Sequence, residues 1–189
     1  MTPVKAENVP AVPALSPDWR DRPIVLVGLM GSGKTTVGKR LAARLGWPFV
    51  DADHEIEVAA GMSISEIFAK YGEPHFRDGE RRVIARLMHG GARVIATGGG
   101  AFIDPVARAE ILRQGTAVWL DACLETLLTR VSRRNTRPLL LGRNAAEVLG
   151  EQALVRNPLY AEAHIRVHSR NGPHGDCVDA ILEALKAQV

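Results

Sequence analysis

The run Gly28-Leu29-Met30-Gly31-Ser32-Gly33-Lys34-Thr35 fits the pattern G-x-x-x-x-G-K-[ST]. It follows an apolar stretch, Ile24–Val27, and precedes a segment of helical spacing, which is the context this pattern requires. The chemistry is anion binding. Glycines let successive backbone N–H groups curve around phosphate oxygens, and a helix N-terminus adds partial positive charge. Lys34 is placed to reach the β- and γ-phosphates of a nucleoside triphosphate, and the Thr35 hydroxyl suits Mg²⁺. The motif defines a nucleotide phosphate site without saying how the phosphates are used.

A pair of carboxylates follows. Asp51-Ala52-Asp53 comes directly after Pro48-Phe49-Val50. Extended residues at i and i+2 point to one side, so both aspartates are expected on the same side of a strand end. One suits a metal, held directly or through water. The other suits the proton of an attacking alcohol. The competing reading is a helix N-cap, because Asp53 directly precedes His54-Glu55-Ile56-Glu57. A pair placed one crossover after a phosphate loop favours the metal and acceptor roles. No aspartate follows Val94-Ile95-Ala96, where many phosphate-loop proteins carry a metal carboxylate, so Asp51 is the metal candidate.

Arginines and glycines supply a further set. In Phe76-Arg77-Asp78-Gly79-Glu80, Arg77 and Glu80 are i, i+3 neighbours at the expected head of a helix. They form either a surface ion pair of little weight, or a guanidinium held by Glu80 so that it forks onto a carboxylate ligand. Thr97-Gly98-Gly99-Gly100 ends a strand candidate. Three glycines are costly to order, so they are read as letting a ligand approach the backbone, against a plain flexible turn. Arg130, Arg133, Arg134, Arg137 and Arg143 surround Pro138-Leu139-Leu140-Leu141. A basic, proline-interrupted segment of this kind suits a lid that closes over phosphates and excludes water; a solvated basic loop is the alternative. Arg156, in Arg156-Asn157-Pro158-Leu159-Tyr160 after an expected short helix, is a second clamp candidate or an ordinary helix-end arginine.

The elements that must position these groups alternate. Strands are expected at Ile24–Val27, Pro48–Asp51, Val94–Ala96, Ala117–Leu120 and Ile165–Val167. Helices are expected at Lys34–Leu45, Arg81–Met88, Pro105–Leu112, Leu124–Arg133 and Val178–Lys186. In the last, Val178, Ile181, Leu182 and Leu185 form one apolar face. Such alternation implies an α/β fold with a parallel sheet between helices. Ligands then gather beyond the carboxyl ends of the strands, where Gly28–Thr36, Asp51–Asp53 and Thr97–Gly100 fall. With 189 residues and 46% hydrophobic composition, one compact domain is expected. Pro3, Pro10, Pro13 and Pro17 argue against regular structure in residues 1–22, which are read as a disordered extension without the marks of a leader or transit peptide. The net charge of +3 fits an anion pocket. No aromatic residue interleaves the arginines, which weakens a single-strand nucleic-acid reading. Cys123 and Cys177 match no metal spacing and are expected as free thiols. No apolar run approaches the ~20 residues of a membrane span.

Taken in order, GLMGSGKTT, DAD, FRDGE, TGGG, TRPLL and RNPLY resemble the shikimate kinase family from about Pro23 to Val189. Each motif but the first is weak alone, and the combination is specific. The resemblance implies a nucleoside-monophosphate-kinase type of fold, a three-layer α/β P-loop architecture with a five-stranded parallel sheet. It also implies a lid at about 133–145 and a substrate-binding region. It implies transfer of a phosphoryl group from ATP to shikimate, giving shikimate 3-phosphate, within chorismate and aromatic amino-acid synthesis. Position by position, it puts ATP on Gly31, Ser32, Gly33, Lys34, Thr35, Thr36, Arg130, Arg137 and Arg170, with Arg130 stacked on adenine and Ser169–Pro173 as the adenine loop. Mg²⁺ falls to Thr35 and Asp51, and shikimate to Asp53, Arg77, Gly99, Gly100 and Arg156. Lys34, Asp53 and Arg137 carry catalysis. A monomeric cytoplasmic enzyme is expected, without nucleic-acid or membrane partners.

Two rivals stand beside it. A gluconate kinase would use a similar anion clamp, and the two arginines with TGGG favour shikimate. A non-enzymatic ATP-sensing module would need no acceptor site, yet Asp53, Arg77 and Arg156 are present. A GTPase is disfavoured because no Asn-Lys-x-Asp element occurs.

Overall fold

The computed structural model describes residues 19–132, 144–170, 172 and 174–187. Strand β1 (Ile24–Val27) leads through the phosphate loop into helix α1 (Lys34–Leu45), then β2 (Phe49–Asp51), α2 (Ala52–Ala60), α3 (Ile64–Met88) and β3 (Val94–Ala96). There follow α4 (Pro105–Gln114), β4 (Thr116–Asp121), α5 (Leu124–Ser132), α6 (Ala145–Tyr160), β5 (Ile165–His168) and α7 (His174–Lys186). The five strands are parallel in the order β2-β3-β1-β4-β5.

Alternation along β1 makes the three layers. Ile24 and Leu26 face α1 and α7 together with Val37, Leu41, Val178 and Ile181. Val25 and Val27 face the layer that includes Ile56 of α2, Ile84 of α3, Ile111 of α4, Leu127 of α5 and Leu149 of α6. Central strands covered on both faces are apolar throughout, and all of β1 and β3 is buried. Edge strand β5 instead alternates, with Ile165 and Val167 inside and Arg166 and His168 outside.

Capping sets several boundaries. Ser63 and Glu66 form a reciprocal capping box at the start of α3. Asp104 accepts hydrogen bonds from the backbone N–H of Val106 and Ala107, with Pro105 in the first turn of α4. Helix α3 breaks at Gly72, whose φ of 78° is non-helical, and Pro74 restarts it. Arg77 therefore does stand near the head of a helical segment. The helix assigned to Arg81–Met88 begins much earlier, because the break hides a continuous run from the sequence.

One expectation is corrected. Arg156 does not follow a short helix. It lies within α6, which runs through Pro158 to Tyr160. Of the extension expected over residues 1–22, residues 1–18 lie outside the described residues. Trp19–Asp21 form a 3-10 turn, and Trp19 is 4% exposed in the α1–α7 layer, 6.1 Å from the Trp47 ring. Both cysteines are free thiols, Cys123 exposed and Cys177 buried. Among the described residues no helix is long and apolar enough to cross a membrane.

Candidate active site

The phosphate loop leaves β1 at Gly28, and Gly31 and Gly33 take φ of 81° and 99°, a region open to glycine and strained for other residues. Gly33 caps α1 without a side-chain hydrogen bond, and the first turn carries no acidic residue. Those N–H groups face the cleft as an anion cradle. The Lys34 ammonium is held inside the loop, donating to the carbonyls of Gly28 (2.8 Å) and Leu29 (2.9 Å). Ser32 is fully buried.

Because β3 lies between β1 and β2, the ends of all three strands meet beside this loop. The Thr35 hydroxyl donates to Asp51 Oδ2 at 3.1 Å. Asp51, rather than Asp53, is the N-cap of α2, its Oδ1 accepting from the Asp53 N–H at 3.2 Å. The two aspartates do share the cleft, though not by strand alternation. Asp51 ends β2, and Asp53 sits in the first turn of α2.

The same cleft carries the arginines Arg77 and Arg156. Arg77 Nη1 donates to Glu80 Oε2 at 2.7 Å, and its Nε and Nη2 reach Glu73 at 3.2 and 3.1 Å. Burial is the largest influence on Glu80 and pushes its carboxyl up, against the pull of Arg77. For Arg77, burial alone would act downward, but the two glutamates outweigh it and hold the guanidinium above its ordinary range. Arg156 Nη1 donates to the Gly99 carbonyl at 3.4 Å. The glycines of TGGG have no positive φ. What they supply is space: a Cβ on Gly98 would lie 2.6 Å from Asp53 Oδ1, and one on Gly100 would overlap the Arg77 guanidinium.

Lys34, Thr35, Thr36, Asp51, Asp53, Arg77, Gly99, Gly100, Arg130 and Arg156 line one cleft of ≈ 1100 Å³. That volume is ample for two small ligands side by side. The profile of the family described as "Shikimate kinase" matches residues 30–186. The chain belongs to the shikimate kinase family.

Its relatives agree. A shikimate kinase of Caulobacter vibrioides (strain NA1000 / CB15N) is 56% identical over 167 residues, covering 88% of this chain and 84% of that protein. A shikimate kinase of Novosphingobium aromaticivorans is 56% identical over 168 residues, covering 87% of each. The solved shikimate kinase from Acinetobacter baumannii in complex with shikimate superposes with a TM-score of 0.85 at 39% identity, covering 89% of this chain and 95% of that one.

Other expected site residues of this family member fall differently. Arg130 Nη1 donates to the carbonyls of Gly31 (3.3 Å) and Ser32 (3.2 Å) and to Ser169 Oγ (2.8 Å), while Nη2 reaches the Arg170 carbonyl at 2.6 Å. Ser169 Oγ donates in turn to the Ser32 carbonyl at 2.9 Å. The edge of Arg130 thus ties the phosphate loop to the segment after β5, and burial lowers its pKa. The Arg170 side chain is exposed and off the cleft; Gly172 and His174 line it there. Arg137 and residues 133–143 of the lid expected at about 133–145 lie outside the described residues. The sequence reading missed His174, which lines the cleft. Gly98 and Tyr160 stand inside motifs already singled out, but their partners come from other elements.

The donor set around Thr35 suits Mg²⁺. A hydroxyl and a carboxylate, both hard oxygens, adjoin a phosphate cradle, and no cluster of three His, Cys, Asp or Glu side chains occurs among the described residues. Mg²⁺ asks for little more, since it keeps several waters and takes its other ligands from substrate phosphates.

Proposed function

We propose that this protein is a shikimate kinase, transferring the γ-phosphoryl group of ATP to the 3-hydroxyl of shikimate to give ADP and shikimate 3-phosphate, in chorismate and aromatic amino-acid synthesis. One observation carries the reading. In a chain of this family, the phosphate loop and Asp53, Arg77 and Arg156 line a single cleft. The A. baumannii relative holds shikimate on the same fold.

In this reading the loop from Gly31 to Thr36 receives the ATP phosphates and Lys34 bridges the β- and γ-groups. Arg77 and Arg156 converge on the acceptor carboxylate, Gly99 and Gly100 bound its ring, and Asp53 orients the attacking hydroxyl and receives its proton. Thr35 and Asp51 would hold Mg²⁺, which when bound neutralises charge on the phosphate oxygens. Arg130 borders the adenine side, Arg170 is assigned to ATP through its backbone segment, and Arg137 neutralises the moving phosphoryl. A monomeric cytoplasmic enzyme remains the expectation.

ADP release with ATP–Mg²⁺, comparing shikimate with gluconate, tests the substrate. Turnover with shikimate is expected. Activity on gluconate alone would keep the P-loop chemistry and overturn the acceptor. For Asp53→Asn, kcat is expected to fall at least about a hundredfold with ATP affinity within about twofold; unchanged turnover would remove Asp53 from the chemistry.

A further inference from the structure

Arg156 and Tyr160 stand one turn apart at the end of α6 and reach the same atom. Both the Arg156 guanidinium and the Tyr160 hydroxyl donate to the Gly99 carbonyl. Against the larger effect of burial, the charge of Arg156 acts on the Tyr160 hydroxyl as well, favouring its ionised form. The tyrosine is wholly buried, its ring 6.1 Å from that of Trp119 and 6.4 Å from that of Phe102. Burial pushes its phenol up to about 12, so it remains an O–H donor across the neutral range.

A buried hydroxyl needs an acceptor. The consequence lies in which acceptor it takes. Across a trans peptide bond the carbonyl of Gly99 and the N–H of Gly100 point in opposite directions. Pinning the carbonyl onto α6 therefore fixes where the Gly100 N–H points. Gly98, Gly99 and Gly100 have no side chains with which to hold that plane themselves, and glycine backbone is otherwise the freest to rotate. The same bond fixes the origin from which Arg156 reaches into the cleft.

We propose that Tyr160 is a positioning residue for the acceptor: its hydroxyl locks the Gly99–Gly100 peptide plane and the Arg156 guanidinium into one rigid wall of the acceptor site. This rests on the shikimate reading above. The phosphate loop has its own supports in Ser32, Arg130 and Ser169, so the lock bears on the acceptor more than on ATP.

Tyr160→Phe removes the hydroxyl and keeps the ring. The KM for shikimate is expected to rise about tenfold, as for the loss of one well-placed hydrogen bond, with the KM for ATP within about twofold and the larger change in KM rather than kcat. Ile181→Val, a fully buried change in the α1–α7 layer, supplies a destabilised control whose shikimate KM should not move. On an Arg156→Ala background, Tyr160→Phe should add little, because the two act through one carbonyl. An unchanged shikimate KM in Tyr160→Phe, an equal rise in the Ile181→Val control, or full additivity with Arg156→Ala would each overturn the positioning role while leaving the kinase reading intact. Wild-type protein that fails to turn over shikimate would overturn both.

Discussion

Gly98 and Gly100 are glycines for a different reason from those of the phosphate loop. Gly31 and Gly33 adopt φ values that side chains resist, whereas Gly98 and Gly100 leave room for Asp53 and Arg77. This makes a test at the residue scale. Gly100→Ala places a methyl group where the Arg77 guanidinium lies, and that guanidinium, at the end of a flexible chain, moves aside. Stability should barely change. The acceptor KM should rise about tenfold, and that of Arg77→Ala about a hundredfold, as expected for loss of a charge-assisted hydrogen bond, with ATP affinity preserved in both. Steady-state kinetics over both substrates decides it, and equal loss of ATP and acceptor affinity would refute the carboxylate clamp. The TGGG motif was visible as a cost in ordering entropy, but what filled the space was not, because Asp53 and Arg77 arrive from α2 and α3.

At the scale of elements, the last junction of the sheet carries a titrating group. His164 precedes β5, and its Nδ1 accepts the backbone N–H of Ala117 in β4 at 3.0 Å. Burial, aided by the positive charge of Arg22, holds its pKa below the ordinary 6.5. The folded state therefore prefers the neutral ring, which alone accepts this bond. The unfolded chain binds the proton more readily, so the stabilisation is present above pH 6.5 and is lost as pH falls through the folded pKa. Calorimetry from pH 7.5 to 5 should show the melting temperature of His164→Gln falling less steeply than that of the wild type; parallel curves would deny His164 this role. Element lengths were the least legible part of the sequence. The break at Gly72 concealed the first half of α3, and Pro158 concealed the end of α6. Proline and glycine interrupt local patterns that tertiary packing continues across.

For the molecule as a whole, Trp19 joins the segment before β1 to the core. It lies before β1, at the amino ends of the strands, while the cleft lies at their carboxyl ends. Trp19→Ala should cost about 3 kcal/mol, as for truncation of a buried aromatic. For a domain of this size that is a melting temperature lower by roughly 6–12 °C. The kinetic constants measured well below the melting temperature should not change. An unaltered melting temperature would show that Trp19 contributes nothing to the core. Its place there was hidden by the prolines before it, which made the whole start of the chain read alike.

The sequence by itself determined the chemistry and the class of fold. The phosphate loop, the aspartate pair and the strand–helix alternation are local patterns, and local spacing suffices to state them. Tertiary structure decided which residues share a wall. Placing β3 between β1 and β2 brings TGGG beside the phosphate loop and the aspartates. The return of α6 sets Arg156 and Tyr160 on Gly99, 57 and 61 residues away in the chain. Contacts at such separations depend on strand order and helix packing, which no window of neighbouring residues encodes.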